Sequence, residues 1–347
     1  MPRPPAPLPA GLGDVFLAGQ RRPAGATEGR LRAADLERPF RGVRARRLDA
    51  PQGEAPRVGA TRGEASRGEG PGSSTMPPDD IARAEILARA RAHSLILPDH
   101  AFYIGTTALA ALDLPFLDAL AAAADDLQVA VFAPHRALRR PGIRSVKVQP
   151  GLAFTTIASG LRVATPATTW ALLGRDLDVR DLVKLGDAIA RIPRDDRGRR
   201  RPELQLATPA QLRAAIEAGR RQGAERLRTA LPRITEHSMS LLETDWRENL
   251  RDSDLPDPVL DHEVRNHRGI LLGISDGAFP EYRVALEIEG DHHRVTRRQW
   301  DRDIDKQAAY ATVDWELVRL TARHIRPSRG RDIALVRQAL IRRGWHP

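Results

Sequence analysis

The stretch that most constrains this 347-residue chain runs from Ile274 to Arg319. Asp276 is placed in a turn by the adjacent Gly277, and Pro280 follows. In Arg283-Val-Ala-Leu-Glu287-Ile-Glu289, polar and apolar residues then alternate from Leu286 to Glu289. Period-two alternation predicts a half-buried strand, with Glu287 and Glu289 on one face. Gly290 ends the strand; a charged helix over about 296–312 and a second strand, Trp315 to Leu320, come next. Two carboxylates on one face, beside an Asp from the preceding turn, repel each other unless a cation lies between them. Hard divalent ions such as Mg²⁺ suit an all-oxygen set of this kind. Glu287 and Glu289 alone would fit a solvated edge strand better. The ordered set Asp276, Glu287, Glu289, His293 reverses that preference.

The flanking segments supply the rest of a small mixed domain. Leu242, Trp246 and Leu250 recur at i, i+4, i+8 and predict a helix over Leu241 to Leu250. Strands are predicted at Val259–Asn266 and Ile270–Ile274, and a last helix at Asp332–Arg343. The order is helix, strand, strand, strand, helix, strand, helix.

The charge pattern agrees with a polyanionic partner. The formal net charge is +10, though only three basic residues are Lys (Lys147, Lys184, Lys306), so part of the excess reflects an Arg- and Ala-rich composition. Residues 1–48 carry ten Arg against four acids, and residues 294–343 carry thirteen basic groups against six acidic ones. Residues 235–293 between them are acidic. An acidic pocket between basic surfaces suits a metal site that must also hold a polyanion. There is no cysteine, so disulfides and thiolate metal sites are excluded. No apolar run is long enough to span a membrane, and the Pro-rich N-terminus is not a secretory signal. The expected location is the cytoplasm.

Residues 12–48 predict helices near Asp14–Ala18 and Glu28–Leu36, then a strand at Phe40–Ala45. This winged-helix-like order, with Leu36, Arg38, Phe40, Arg41, Gly42 and Val43, resembles the N-terminal module of AbiEi-type antitoxin proteins. The resemblance implies DNA contacts from Arg38, Arg41 and Arg44. Residues 50–79 hold almost no large apolar side chain and read as a flexible linker. Residues 80–200 resemble the central part of the same antitoxin-like proteins: a small α/β domain with helices at 81–92 and 102–112, then strands and further helices. Within it, His135, Arg136, Arg139 and Arg140 form a basic loop, more simply a solvated turn than a phosphate site. A helical connector spans 201–234, and the last domain spans 235–347.

That last domain, from Ser238 onward, resembles the restriction-endonuclease-like fold, and within it the small nucleases related to very-short-patch-repair endonucleases. The matching phrases are Asp276-Gly-Ala-Phe-Pro280, Glu287-Ile-Glu289-Gly290, His293, then Asp303 and Lys306, and Leu317-Val-Arg319. Glu243 stands where that family has a Glu on its first helix. The resemblance implies catalytic roles for Asp276, Glu287, Glu289, His293, Lys306 and Glu243, with Asp276, Glu287 and Glu289 holding Mg²⁺ or Mn²⁺. In the general PD-(D/E)xK pattern a Lys follows the acid by two residues; here that residue is Glu289, which leaves Lys306 or Arg302 to supply positive charge. Arg294, Arg297 and Arg298 would meet the nucleic acid.

The fold expected is therefore α/β (α+β, multidomain): a mixed sheet flanked by helices, preceded by a winged-helix-like module and a small central α/β domain. The function expected is Mg²⁺-dependent hydrolysis of DNA phosphodiesters. The alternative is a catalytically degenerate, antitoxin-like DNA-binding regulator, with a cognate toxin or another protein as partner. A third reading has the basic surfaces serve protein contacts alone. Metal binding separates the first from the others, and DNA binding separates the second from the third.

Overall fold

The computed structural model describes residues 5–9, 11–47, 77–123, 125–290, 305–326 and 330–347. His293, Arg294, Arg297 and Arg298 lie outside the described residues, as does the expected linker up to residue 76. The chain is a mixed α/β protein and divides into two compact units, residues 1–164 and 165–347. No helix among the described residues is long and apolar enough to cross a membrane.

The first unit begins with a small antiparallel sheet of β1 (Val15–Leu17), β2 (Leu36–Glu37) and β3 (Val43–Arg46), in the order β1-β3-β2. The winged-helix expectation is corrected here, because the segments expected to be helical are a strand and two short 3₁₀ turns, Ala18–Arg21 and Arg30–Arg32. Two causes are local. Val15, Phe16 and Leu17 are β-formers that pair with Val43–Ala45, and Pro23, Gly25 (φ +78°) and Gly29 interrupt any helix between the turns. Phe16, Leu31 and Leu36 fill one side of this sheet. Phe40 and Val43 instead join the core made by Ile86, Ala90, Tyr103 and Val129.

That larger core belongs to α1 (Pro78–Ser94), β4 (Ala101–Tyr103), α2 (Gly105–Ala111), β5 (Leu127–Phe132), β6 (Ile143–Val148), β7 (Thr155–Ala158) and β8 (Leu161–Ala164). The sheet order is β6-β5-β4-β8-β7, with β5–β6 and β4–β8 parallel. The helix expected at 102–112 starts later: Ala101–Tyr103 is a buried strand, and Gly105, at φ +55°, turns the chain into α2.

The second unit opens with α3 (Pro166–Leu173), α4 (Val179–Ala190), α5 (Pro209–Glu217) and α6 (Ala224–Ala230). Thr165 caps α3 by accepting the Thr168 N–H at 3.3 Å. These helices group with the C-terminal sheet in the second compact unit. The tie is a buried polar knot on α4. Asp187 accepts the Thr235 N–H (2.8 Å), the Thr244 hydroxyl (2.7 Å) and an Arg247 guanidinium N–H (2.6 Å). Thr244 and Arg247 lie on α7 (Leu241–Leu250), whose Leu242, Trp246 and Leu250 are buried as their spacing predicts.

Beyond α7 come β9 (Val259–Arg265), β10 (Leu271–Phe279), β11 (Val284–Glu289), α8 (305–311), β12 (Glu316–Thr321), α9 (Ala322–Ile325) and α10 (Arg331–Arg342). The sheet order is β12-β11-β10-β9; the first three strands in sequence form an antiparallel meander, and β12 runs parallel to β11. One face packs on α7, α9 and α10 through Trp246, Leu286, Leu320 and Leu340, and the other packs on α8 through Ala285 and Tyr310. The close approach of α7 to the sheet depends on Gly277, where an added Cβ would lie 2.7 Å from the Trp246 ring. Gly277→Ala is therefore expected to destabilise the protein by about 1–3 kcal/mol through overpacking. Urea denaturation checks this, and wild-type stability in the variant would refute the close approach.

Candidate active site

Asp276 is in the interior of β10, not in a turn, so that expectation is corrected. Gly277 suggests a turn from sequence, yet its lack of a side chain serves the close approach of Trp246. Gly273 on the same strand makes room for Tyr310 and for the Lys306 stem. The strand is nonetheless irregular at Asp276. Ser275 meets the Tyr310 hydroxyl at 3.0 Å on the α8 side, whereas Gly277 faces Trp246 on the α7 side. Residues two apart on a regular strand share a face, so the alternation breaks at Asp276. Paired residues of β10 and β11 run from Phe279↔Val284 to Gly277↔Leu286. One position further, the Asp276 carboxylate itself accepts the Ile288 N–H at 2.6 Å. A side chain thus takes the place of a backbone partner where the two strands part.

Three charged groups converge on that point. Glu287, on β11, is ion-paired with Lys306 of α8, whose ammonium also donates to the Ile274 carbonyl at 2.6 Å and lies 5.7 Å from the Tyr310 ring centre. Glu243 reaches the site from α7, one turn before Trp246; its carboxylate accepts the Met239 N–H at 2.7 Å and it is 8% exposed. Burial pushes the Asp276 carboxyl well above the usual carboxylate range, and the neighbouring Glu243 and Glu287 carboxylates push it further; the Ile288 N–H and Lys306 pull the other way. Burial likewise raises Glu243 to about 7, against a Met239 N–H that lowers it. Tyr310 is raised by burial and by the Glu287 and Asp276 carboxylates, against its Ser275 hydrogen bond. This is a desolvated cluster of carboxylates with one ammonium among them, the setting in which protonation is tuned for chemistry.

Glu289 is not brought into the cluster. It lies two residues further along β11, half exposed, with Arg319 of β12 at 3.7 Å. Glu243 takes the place of a third carboxylate. Its nearness to Asp276 spans 33 positions of sequence and carries no local signal. Tyr310 and Ser275 are the groups that sequence reasoning missed; the one trace is that Tyr310 follows Lys306 at i+4 on α8. In the first unit, Arg38 and Arg41 are exposed, but Arg44 is turned inward, donating to the carbonyls of Leu31 (3.1 Å) and Val43 (3.0 Å).

Among the described residues, no group of three or more His, Asp or Glu side chains is arranged to hold a metal ion. The donor chemistry at Asp276 still fits a hard divalent cation: the convergent groups are carboxylates, and Asp276 is destabilised as an anion by Glu243 and Glu287. Asp276 and Glu287 would be the residues to hold it, with the Glu243 carboxylate close enough to act on Asp276 electrostatically.

The raised Glu243 carboxyl has a consequence for stability. A folded-state value of about 7 against an ordinary 4.5 means that the native protein holds a proton the unfolded chain has released. Stability should therefore fall as pH rises from about 4.5 to about 7. Glu243→Gln keeps the shape and removes the ionisation. In metal-free buffer the variant is expected to be more stable than wild type at pH 8 by on the order of 3 kcal/mol, and to match it near pH 4.5. Thermal melts across that range test it; parallel curves for the two proteins would contradict it.

No family model and no solved structure matches the chain. It is 27% identical over 129 residues to two proteins of Mycobacterium tuberculosis: uncharacterized protein MT2308 of strain CDC 1551 / Oshkosh and uncharacterized protein Rv2248 of strain ATCC 25618 / H37Rv. The match takes in 37% of this chain and 47% of each relative, so the chain spans about half the length of the curated relatives it matches.

Proposed function

We propose that the second unit is a divalent-metal-dependent endodeoxyribonuclease. The observation that carries this reading is the convergence of Asp276, Glu287 and Glu243 with Lys306 where β10 and β11 part. A bound Mg²⁺ or Mn²⁺ would polarise the phosphoryl oxygen and lower the pKa of a water. The chain's own residues do the rest. Asp276 and Glu287 would hold the ion, and the Ile288 N–H holds the Asp276 carboxylate in place. Lys306, fixed by the Ile274 carbonyl, offers positive charge to the phosphate as negative charge develops. Glu243 exchanges its proton near neutrality, which suits a group that takes or returns a proton during turnover. The test is incubation of the full chain with supercoiled plasmid: nicking that needs Mg²⁺ or Mn²⁺ and stops with EDTA supports the reading.

A second reading is an antitoxin-like regulator that binds DNA without cutting it. What favours it is Glu289 at the position where the general pattern has Lys, together with the Lys306–Glu287 ion pair, which already neutralises one of the ligands. DNA binding with no cleavage under any divalent metal would select it.

A further inference from the structure

The first unit carries a surface that the carboxylate site does not use. From Leu127 to Arg175 the chain contains no Asp or Glu, although acids make up 45 of its 347 residues. The cations of this stretch are concentrated between 136 and 147, in the β5–β6 connection and on β6: Arg136, Arg139, Arg140, Arg144 and Lys147. All five are exposed, and none has an ion-pair partner among the described residues. Elsewhere in the same unit arginines find acids: Arg30 with Asp35, Arg83 with Asp113, Arg162 with Asp99. Cations this close along the chain, with no counter-charge among the described residues, repel each other, and a polyanion would relieve that repulsion.

The segment is built rather than loose. Ala133 donates to the Val148 carbonyl (2.9 Å), Leu138 donates to the Ser145 hydroxyl (3.0 Å), and Arg140 bridges to Ile143. His135 stacks on His100 with ring centres 3.7 Å apart, which fixes the start of the connection beside β4. β6 is an outer strand of its sheet, so its flank is open to a ligand. Among the exposed large apolar side chains of the described residues, none lies between 133 and 148. A surface meant to enter a lipid interface carries such side chains beside its cations; this one has charge alone.

We propose that residues 136–147 form a docking surface for the phosphate backbone of duplex DNA. The choice of DNA rests on the nuclease reading of the second unit; the presence of a polyanion surface does not. Guanidinium groups pair with phosphate bidentately, and pairing of this kind fixes register without reading sequence. Affinity should therefore depend steeply on salt and little on base sequence.

The test uses the full chain in EDTA, so that cleavage plays no part, with a fluorescent 20-base-pair duplex and anisotropy across a salt series. Arg139→Ala/Arg140→Ala/Arg144→Ala is expected to bind at least tenfold more weakly at low salt. Its slope of log affinity against log salt should be shallower by about 0.9 for each phosphate that the variant no longer neutralises. The matching triple Lys variant should keep the wild-type slope, which separates charge from folding. An Ala triple with wild-type affinity and slope would overturn the proposal. So would a wild type that sediments with phosphatidylserine vesicles at concentrations where the duplex is unbound. Wild type that binds the duplex but nicks no plasmid with Mg²⁺ or Mn²⁺ would sink the nuclease reading and leave the docking surface standing.

Discussion

Asp276→Asn is expected to lower metal-dependent nicking of plasmid DNA by about 100-fold or more, the upper end of what loss of a group supporting a metal costs. The same substitution should not weaken the fold. The wild-type carboxyl is buried and pushed upward by desolvation and by two acids, so as an anion it opposes folding. An Asn side chain has nearly the same volume, and its carbonyl oxygen can accept the Ile288 N–H that Asp276 accepts at 2.6 Å. Above neutral pH in EDTA the variant is expected to melt at or above the wild-type temperature. Activity that falls while stability holds or rises marks a residue kept for chemistry rather than for packing. A variant that loses activity because it unfolds would point to a structural role instead.

The largest stability effect is expected on the other side of α7. Arg247→Met removes the cation from Asp187, which is 1% exposed and also accepts from Thr235 and Thr244. A buried carboxylate left without its partner costs about 3–5 kcal/mol. Desolvation already raises Asp187, with Arg247 the main group holding it down. The sign follows: in the variant Asp187 keeps a proton to higher pH than the unfolded chain does, so the loss grows as pH rises. It should be larger at pH 8 than at pH 5. Adding Asp187→Asn in the Met background should restore much of the stability at pH 8, because the amide oxygen still accepts the Thr235 N–H. Guanidinium denaturation at the two pH values measures both effects. A pH-independent loss would assign the cost to packing of the Arg stem.

These two sites show where local sequence pattern is informative. Helix α7 was legible because Leu242, Trp246 and Leu250 repeat at helical spacing, and β11 because apolar and acidic residues alternate from Leu286 to Glu289. Both signals arise from side chains that meet one continuous core. The identity of the strand bearing Asp276 was obscured by Gly277, since a glycine that makes room for Trp246 looks the same in sequence as one needed for a turn. Val15–Leu17 is too short for its periodicity to separate strand from helix, and its partner strand β3 decides the matter. The grouping of α3–α6 with the C-terminal sheet includes polar interactions such as Asp187 with Thr244 and Arg247, about 60 residues apart along the chain. At the site itself, the residue types were visible, but their assembly was not. Glu289 shares a strand with Glu287 yet turns to Arg319, while Glu243 arrives from another layer of the fold.

Isothermal titration of the full chain with Mn²⁺ measures whether Asp276 anchors a divalent cation. Wild type should bind Mn²⁺ with release of protons, because Asp276 and Glu243 hold theirs above the usual carboxylate range when metal-free. Asp276→Asn should abolish that binding while remaining folded. If wild type and Asp276→Asn bind Mn²⁺ with equal affinity and equal proton release, Asp276 is not a ligand and the account of the site is wrong.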